Sequence, residues 1–205
     1  MLKPIWAAIA IIALNVVAAD AATLSKTYSY FSIGGSTLDE IEAELMSRGP
    51  KVKTSGRRHP GATQMEFTSR IGYGEKDGYC RVVQANVSVK AKLILPTWRR
   101  PKGADREVRL IWDTLESDIK RHEESHIIIA KNHAREMEQE LKAIWRKRDC
   151  KQIAAQVKVV TAKVLARHDK AQDEFDRVEG INFESRLVRL LRYRLERIDA
   201  MREGN

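Results

Sequence analysis

The chain has 205 residues, with 37 Lys and Arg against 28 Asp and Glu and a formal charge of +9. That length suits one domain able to bury a proper core and argues against two. The positive charge comes without an aromatic-interleaved basic strand, a zinc-finger spacing or a recognition-helix signature, so it predicts solubility and surface association, and no nucleic-acid partner.

Met1-Leu2-Lys3 and the apolar run Pro4 to Ala19 read as the first two regions of a secretory signal peptide. Ala19-Asp20-Ala21 supplies the small-x-small cleavage site, which places the signal at residues 1–21 and a single mature domain at 22–205. The run is shorter than the ~20 residues a spanning helix needs, and Asn15 interrupts it, so no transmembrane anchor is expected after cleavage. Export places Cys80 and Cys150, the only cysteines, where an oxidising compartment lets them form a structural disulfide. It also brings a basic protein against the anionic cell-envelope surface.

Thr27 to Ile33 predicts a short strand, closed by Gly34-Gly35-Ser36. A helix follows, capped by Thr37 with Glu40 three residues on, with Ile41, Leu45 and Met46 as its apolar face and Gly49-Pro50 as its stop. Lys51 to Gly61 is basic and turn-rich and reads as a loop. Thr63 to Ile71 and Cys80 to Leu95 predict two or three antiparallel strands, the alternation being clearest at Val83, Ala85, Val87, Val89 and Ala91. Pro96 to Ala104 is a connector, and Asp105 is the expected N-cap of a helix that meets neither Gly nor Pro from Arg106 to Arg148. After a turn near Arg148 to Lys151, a second helix is expected over Gln152 to Glu179. Gly180 then separates it from a basic amphipathic helix, Phe183 to Arg202, within a C-terminal segment 180–205. The class is α+β: a small antiparallel sheet with an N-terminal helix, a long helical hairpin and a C-terminal helix.

The motif helix contains His122-Glu123-Glu124-Ser125-His126. On a 3.6-residue period His122 and His126 share one face a turn apart, the spacing with which two imidazoles hold one tetrahedral Zn2+. Glu123, outside the ligand set, can take a proton from an attacking water and pass it to a leaving amine, the general-base role in peptide hydrolysis.

A zinc site needs a third protein ligand. His133 lies seven residues past His126, about 10.5 Å further along an unbroken helix, and is not expected to reach. If the second helix folds back across a turn centred near Asp149, equal rise brings Gln172 level with His126 and Asp176 level with His122. Asp176 and Glu179 are the candidate third ligands, with Asp176 favoured. His168 or Arg167, on the same facing helix, is the candidate second electrophile for the oxyanion.

Tyr30-Phe31-Ser32-Ile33-Gly34-Gly35-Ser36-Thr37-Leu38-Asp39-Glu40-Ile41, Gly49-Pro50, a strand cysteine, Leu95-Pro96-Thr97-Trp98, His122 to His126 and a second cysteine follow one another in an order that resembles the bacterial DUF922 family. The resemblance spans roughly residues 28 to 180. Members of that family are described as candidate secreted zinc-dependent proteases, so it implies a zincin-like fold, a periplasmic or secreted location and a peptide or protein substrate. His122, Glu123 and His126 map onto the family motif. The family's downstream Tyr-Asp segment is matched only in part by Phe175-Asp176-Arg177-Val178-Glu179-Gly180, which points to Asp176 and leaves Glu179 open. The rival reading is a non-catalytic envelope protein in which a structural zinc, or a polar cluster alone, braces the helical hairpin.

Overall fold

Residues 22–52 and 56–203 are described by a computed structural model; the expected signal peptide lies outside the described residues. The order is β1 (Thr23–Ile33), α1 (Leu38–Arg48), β2 (Ala62–Lys76), β3 (Tyr79–Trp98), α2 (Arg106–Lys142) and α3 (Cys150–Glu203). Among the described residues the class is α+β, a small sheet with three helices. The sheet is mixed rather than antiparallel, in the order β1-β3-β2. β2 and β3 form an antiparallel hairpin around Asp77 and Gly78, whose φ values of 53° and 72° are those of a two-residue turn matched to strand twist. β1 reaches β2 only through α1 and a loop, which leaves a strand's width between them. β3 fills that gap and, being antiparallel to β2, runs parallel to β1, with Thr23 opposite Ser88 and Ile33 opposite Trp98.

On β3, Ala85, Val87, Val89, Ala91, Leu93 and Leu95 are buried at every second position, and this face receives α2 and α3. Val83, expected on the same face, is exposed. A register shift at Gly72/Tyr73 pairs Gln84 with Gly72 but Val82 with Tyr73, so Val83 is an extra residue and the alternation changes parity beyond it. Val82 and Cys80 therefore turn inward, and Cys80 forms a disulfide with Cys150 at the start of α3. A second cluster, Ile33, Ile41, Leu45, Trp98 and Trp112, fixes α1 against the start of α2. The capping box of α1 is present, with Thr37 accepting from Glu40 N and the Glu40 carboxylate accepting from Thr37 N.

Asp105 caps α2 through Glu107 N at 2.7 Å, but the helix ends at Lys142, six residues before Arg148. Lys147 exchanges two backbone hydrogen bonds with Cys80, of 2.8 and 2.9 Å, and Asp149 accepts from Gln152 N at 2.8 Å to open α3. These bonds claim the segment for the turn. Gly180 does not break α3, which continues to Glu203. One glycine costs a helix only about 1 kcal/mol, and bonds to α2 and along α3 span it: Arg186 binds Asp118 on α2, and Asn182 Nδ2 donates to Val178 O at 2.8 Å. The expected C-terminal helix is thus the end of α3, with Leu187, Leu190, Leu191 and Ile198 half-buried and Leu195 exposed. Among the described residues no helix is long and apolar enough to cross a membrane.

Candidate metal centre

α2 and α3 lie antiparallel, and the pairing puts Gln172 against His126 and Asp176 against both His122 and His126. Three atoms converge. His126 Nε2 lies 3.1 Å from His122 Nε2 and 3.1 Å from Asp176 Oδ1, and His122 Nε2 lies 3.2 Å from the same oxygen. Three ligands about 2.0–2.1 Å from a tetrahedral zinc would lie about 3.3–3.4 Å apart, so the trio is within a few tenths of an ångström of a metal-binding spacing. Among the described residues, His122, His126 and Asp176 form the one group of this kind.

The other ring nitrogens are engaged from behind. His126 Nδ1 lies 2.6 Å from Gln172 Oε1, and His122 Nδ1 lies 3.5 Å from Glu179 Oε2. Glu179 is itself held by Arg121 and by Arg186, the latter at 3.3 Å. Both arginines also bind the buried Asp118: Arg121 Nε at 2.8 Å, Arg186 Nε at 3.1 and 3.2 Å and Arg186 Nη2 at 3.2 Å. Phe175 stacks on His122 at 5.0 Å between ring centres and meets His126 edge-on at 5.1 Å. Each imidazole is therefore approached at Nδ1 and against Phe175, with its Nε2 turned to the place where the three atoms meet.

Burial alone raises the Asp176 carboxyl, but hydrogen bonds from His122 and His126 reverse this and hold it well below the usual carboxylate range. Burial lowers the His126 ring, but its bonds to Asp176 and Gln172 raise it by more. The His126–Asp176 contact enters both shifts: acceptor atoms face one another and require a proton or a cation between them. Chemically, two imidazoles and a carboxylate suit zinc, so the residues present fit the metal the motif implies.

Glu123 is buried beside this trio, with Thr63 Oγ1 2.8 Å from its Oε2 and 3.0 Å from its backbone oxygen. Burial raises its pKa, and the Thr63 hydrogen bond offsets this only in part. A cavity of about 310 Å³ opens on the same place, walled by His59, Pro60 and Gly61 ahead of β2, Ile119, His122 and Glu123 on α2, and Asp176, Gly180 and Phe183 on α3. Gly61 belongs there because a Cβ would stand 2.9 Å from Glu123 Oε1.

Of the residues singled out in the sequence, His122, Glu123, His126 and Asp176 are brought together, and Glu179 sits behind His122. His168 and Arg167 are not brought to the cavity. His168 is buried behind His126, with Nε2 2.8 Å from Gln172 Nε2, Nδ1 3.0 Å from Asp169 Oδ1 and its ring edge-on to Phe67. Arg167 turns to Glu136 and Glu140. Both lie further along α3 toward the turn, out of reach of the opening. His133 bonds the backbone oxygen of Ile129 at 2.9 Å. Sequence reasoning missed Gly61, Thr63, Asp118, Gln172 and Arg186 as parts of the site. Only Gln172 carried a signal, its helix level with His126.

A family model described as a bacterial protein of unknown function, DUF922, matches residues 28–184. The chain belongs to the DUF922 family. The match takes in β1 from its middle, the rest of the sheet, all of α2, and α3 as far as Glu184, so His122, Glu123, His126 and Asp176 lie inside it and Arg186 just beyond its end. No curated protein and no solved structure matches the chain.

Proposed function

We propose that this DUF922 protein is an exported zinc-dependent peptidase with a zincin-like arrangement, in which a small sheet backs the helix that carries His122, Glu123 and His126. The observation that carries this reading is the convergence of His122 Nε2, His126 Nε2 and Asp176 Oδ1 within 3.2 Å at a cavity that also presents Glu123. His122, His126 and Asp176 would hold the metal. When bound, zinc supplies Lewis-acid polarisation of water and of a peptide carbonyl.

Glu123 is the general base. Its burial raises its basicity, and Thr63 fixes one oxygen, so the carboxylate can take a proton from an attacking water and return it to the leaving nitrogen. Glu179 orients His122 and, being committed to Arg121 and Arg186, is left outside the ligand set. The cavity takes a side chain of a peptide or protein substrate against Ile119, Pro60 and Phe183. The sequence of residues 1–21 and the Cys80–Cys150 bridge support an exported location, periplasmic or secreted.

The test is a peptide-library cleavage assay on the zinc-loaded protein, with a chelator control and Glu123→Gln. Cleavage that disappears with chelator and with Glu123→Gln, while that variant still binds one zinc, supports the reading. Zinc binding without cleavage of any peptide favours the bracing role, to which the buried Asp118–Arg186 contact between α2 and α3 lends itself.

A further inference from the structure

Gln172 joins His126 to the residues behind it. Its carbonyl oxygen stands 2.6 Å from His126 Nδ1, while its amide nitrogen stands 3.1 Å from the backbone oxygen of His126 and 2.8 Å from His168 Nε2. The backbone oxygen only accepts, so the side facing it must be the NH2 group. The reverse orientation would set two carbonyl oxygens against each other. With the amide so fixed, Oε1 can only accept, and the proton must be on His126 Nδ1. His126 Nε2 is then left with its lone pair aimed at the point where His122 and Asp176 meet.

We infer that Gln172 is a positioning residue, which fixes the Nδ1–H tautomer of His126 and so makes its Nε2 a ligand, with His168 as the acceptor that holds the amide in that orientation. The inference deepens the metal reading and assigns His168 a place one step behind the ligand. The remaining amide proton of Gln172 is donated to His168 Nε2, which puts the His168 proton on Nδ1, facing Asp169 Oδ1 at 3.0 Å. Met65 Sδ, 3.9 Å from the amide nitrogen, and Phe67 against the His168 ring close the pocket from the sheet side. A hydrogen-bonded partner behind a metal-binding imidazole commonly contributes about 10–100-fold in metal affinity.

The test reads the tautomer directly, by two-bond 15N–1H correlation spectra of the exported protein stripped of metal, at a pH where the ring is neutral. His126 in the wild type should carry its proton on Nδ1, the reverse of the form an unconstrained imidazole prefers. Gln172→Leu should lose that preference and weaken zinc binding by about 10–100-fold, whereas Gln172→Glu, which keeps an acceptor oxygen, should keep the tautomer. An Nε2–H signal for His126 in the wild type, or an unchanged tautomer in a folded Gln172→Leu protein, would overturn the inference. Because the spectrum is taken without metal, a protein that binds no zinc would end the peptidase reading while this test still returned an answer. A Gln172→Leu chain that does not fold leaves the wild-type spectrum to decide.

Discussion

Asp118 offers the sharpest stability test, because its carboxylate is 3% exposed and joins both arginines that frame the centre. Asp118→Asn keeps the shape and removes the charge, leaving Arg186, 14% exposed, with Glu179 at 3.3 Å as its remaining ionic partner. Breaking a buried pair costs about 3–5 kcal/mol, and the surviving Glu179 contact puts the expected loss at the lower end, about 3 kcal/mol. For a domain of this size that is a fall of roughly 6–12 °C in Tm, measurable by calorimetry beside urea unfolding. Amides of α3 beyond Gly180 should also exchange faster, because Arg186 is the ionic link from that half of the helix to Asp118. Replacing both partners, Asp118→Leu with Arg186→Met, should recover most of the loss, since an apolar pair needs no desolvated charge. A loss below about 1 kcal/mol, the range of an exposed pair, would refute the claim that this network is buried and coupled.

The same pair fixes a pH dependence. Burial raises the Asp118 carboxyl, but hydrogen bonds from Arg186 and Arg121 outweigh it and leave the pKa below the ordinary value. On acidification the unfolded chain takes up the proton first, so this stabilisation is complete above about pH 4 and is lost as pH falls through the folded pKa. Unfolding free energies across that acid range should fall less steeply in Asp118→Asn than in the wild type; parallel slopes would contradict the assignment. Replacing Cys80 and Cys150 together by Ala should cost about 4 kcal/mol in the chain-entropy account of a loop of this size, because 70 residues separate them. Urea midpoints unchanged by the double replacement would mean that the hairpin end is held by its backbone bridge to Lys147. In the proposed peptidase reaction Gly61→Ala should depress cleavage and leave zinc binding unchanged, since its Cβ would push on Glu123 Oε1 and on Ile119 Cγ2, each 2.9 Å away. Cleavage at the wild-type rate would place Glu123 free of that wall.

Periodicity and equal helical rise made the helical part of the centre legible. His122 and His126 follow from their spacing, and Asp176 from the antiparallel return of α3, because both helices advance equally per residue whatever their side chains. The sheet was less legible. The parallel pairing of β1 depends on β3 entering a gap, a tertiary event with no local pattern. The exposure of Val83 depends on one extra residue, which Gly74 accommodates where a Cβ would lie 2.6 Å from Val83 Cγ1. Gly180 reads as a breaker in sequence but is overridden by the Arg186–Asp118 contact across 68 residues. Gly61 and Thr63 reach Glu123 because the start of β2 packs on α2, and a contact across 60 residues leaves no trace in either segment alone. His168 shares a helix with the candidate ligand Asp176, but its distance toward the turn places it behind His126 instead of at the opening.

Zinc stoichiometry on residues 22–205, measured by elemental analysis after dialysis against zinc at neutral pH, tests the centre most directly when His126→Ala and Asp176→Ala are run beside the wild type. The account predicts one zinc per wild-type chain and none retained by either variant. A wild-type chain that binds no zinc, or an Asp176→Ala protein that binds it as well as the wild type, would contradict it.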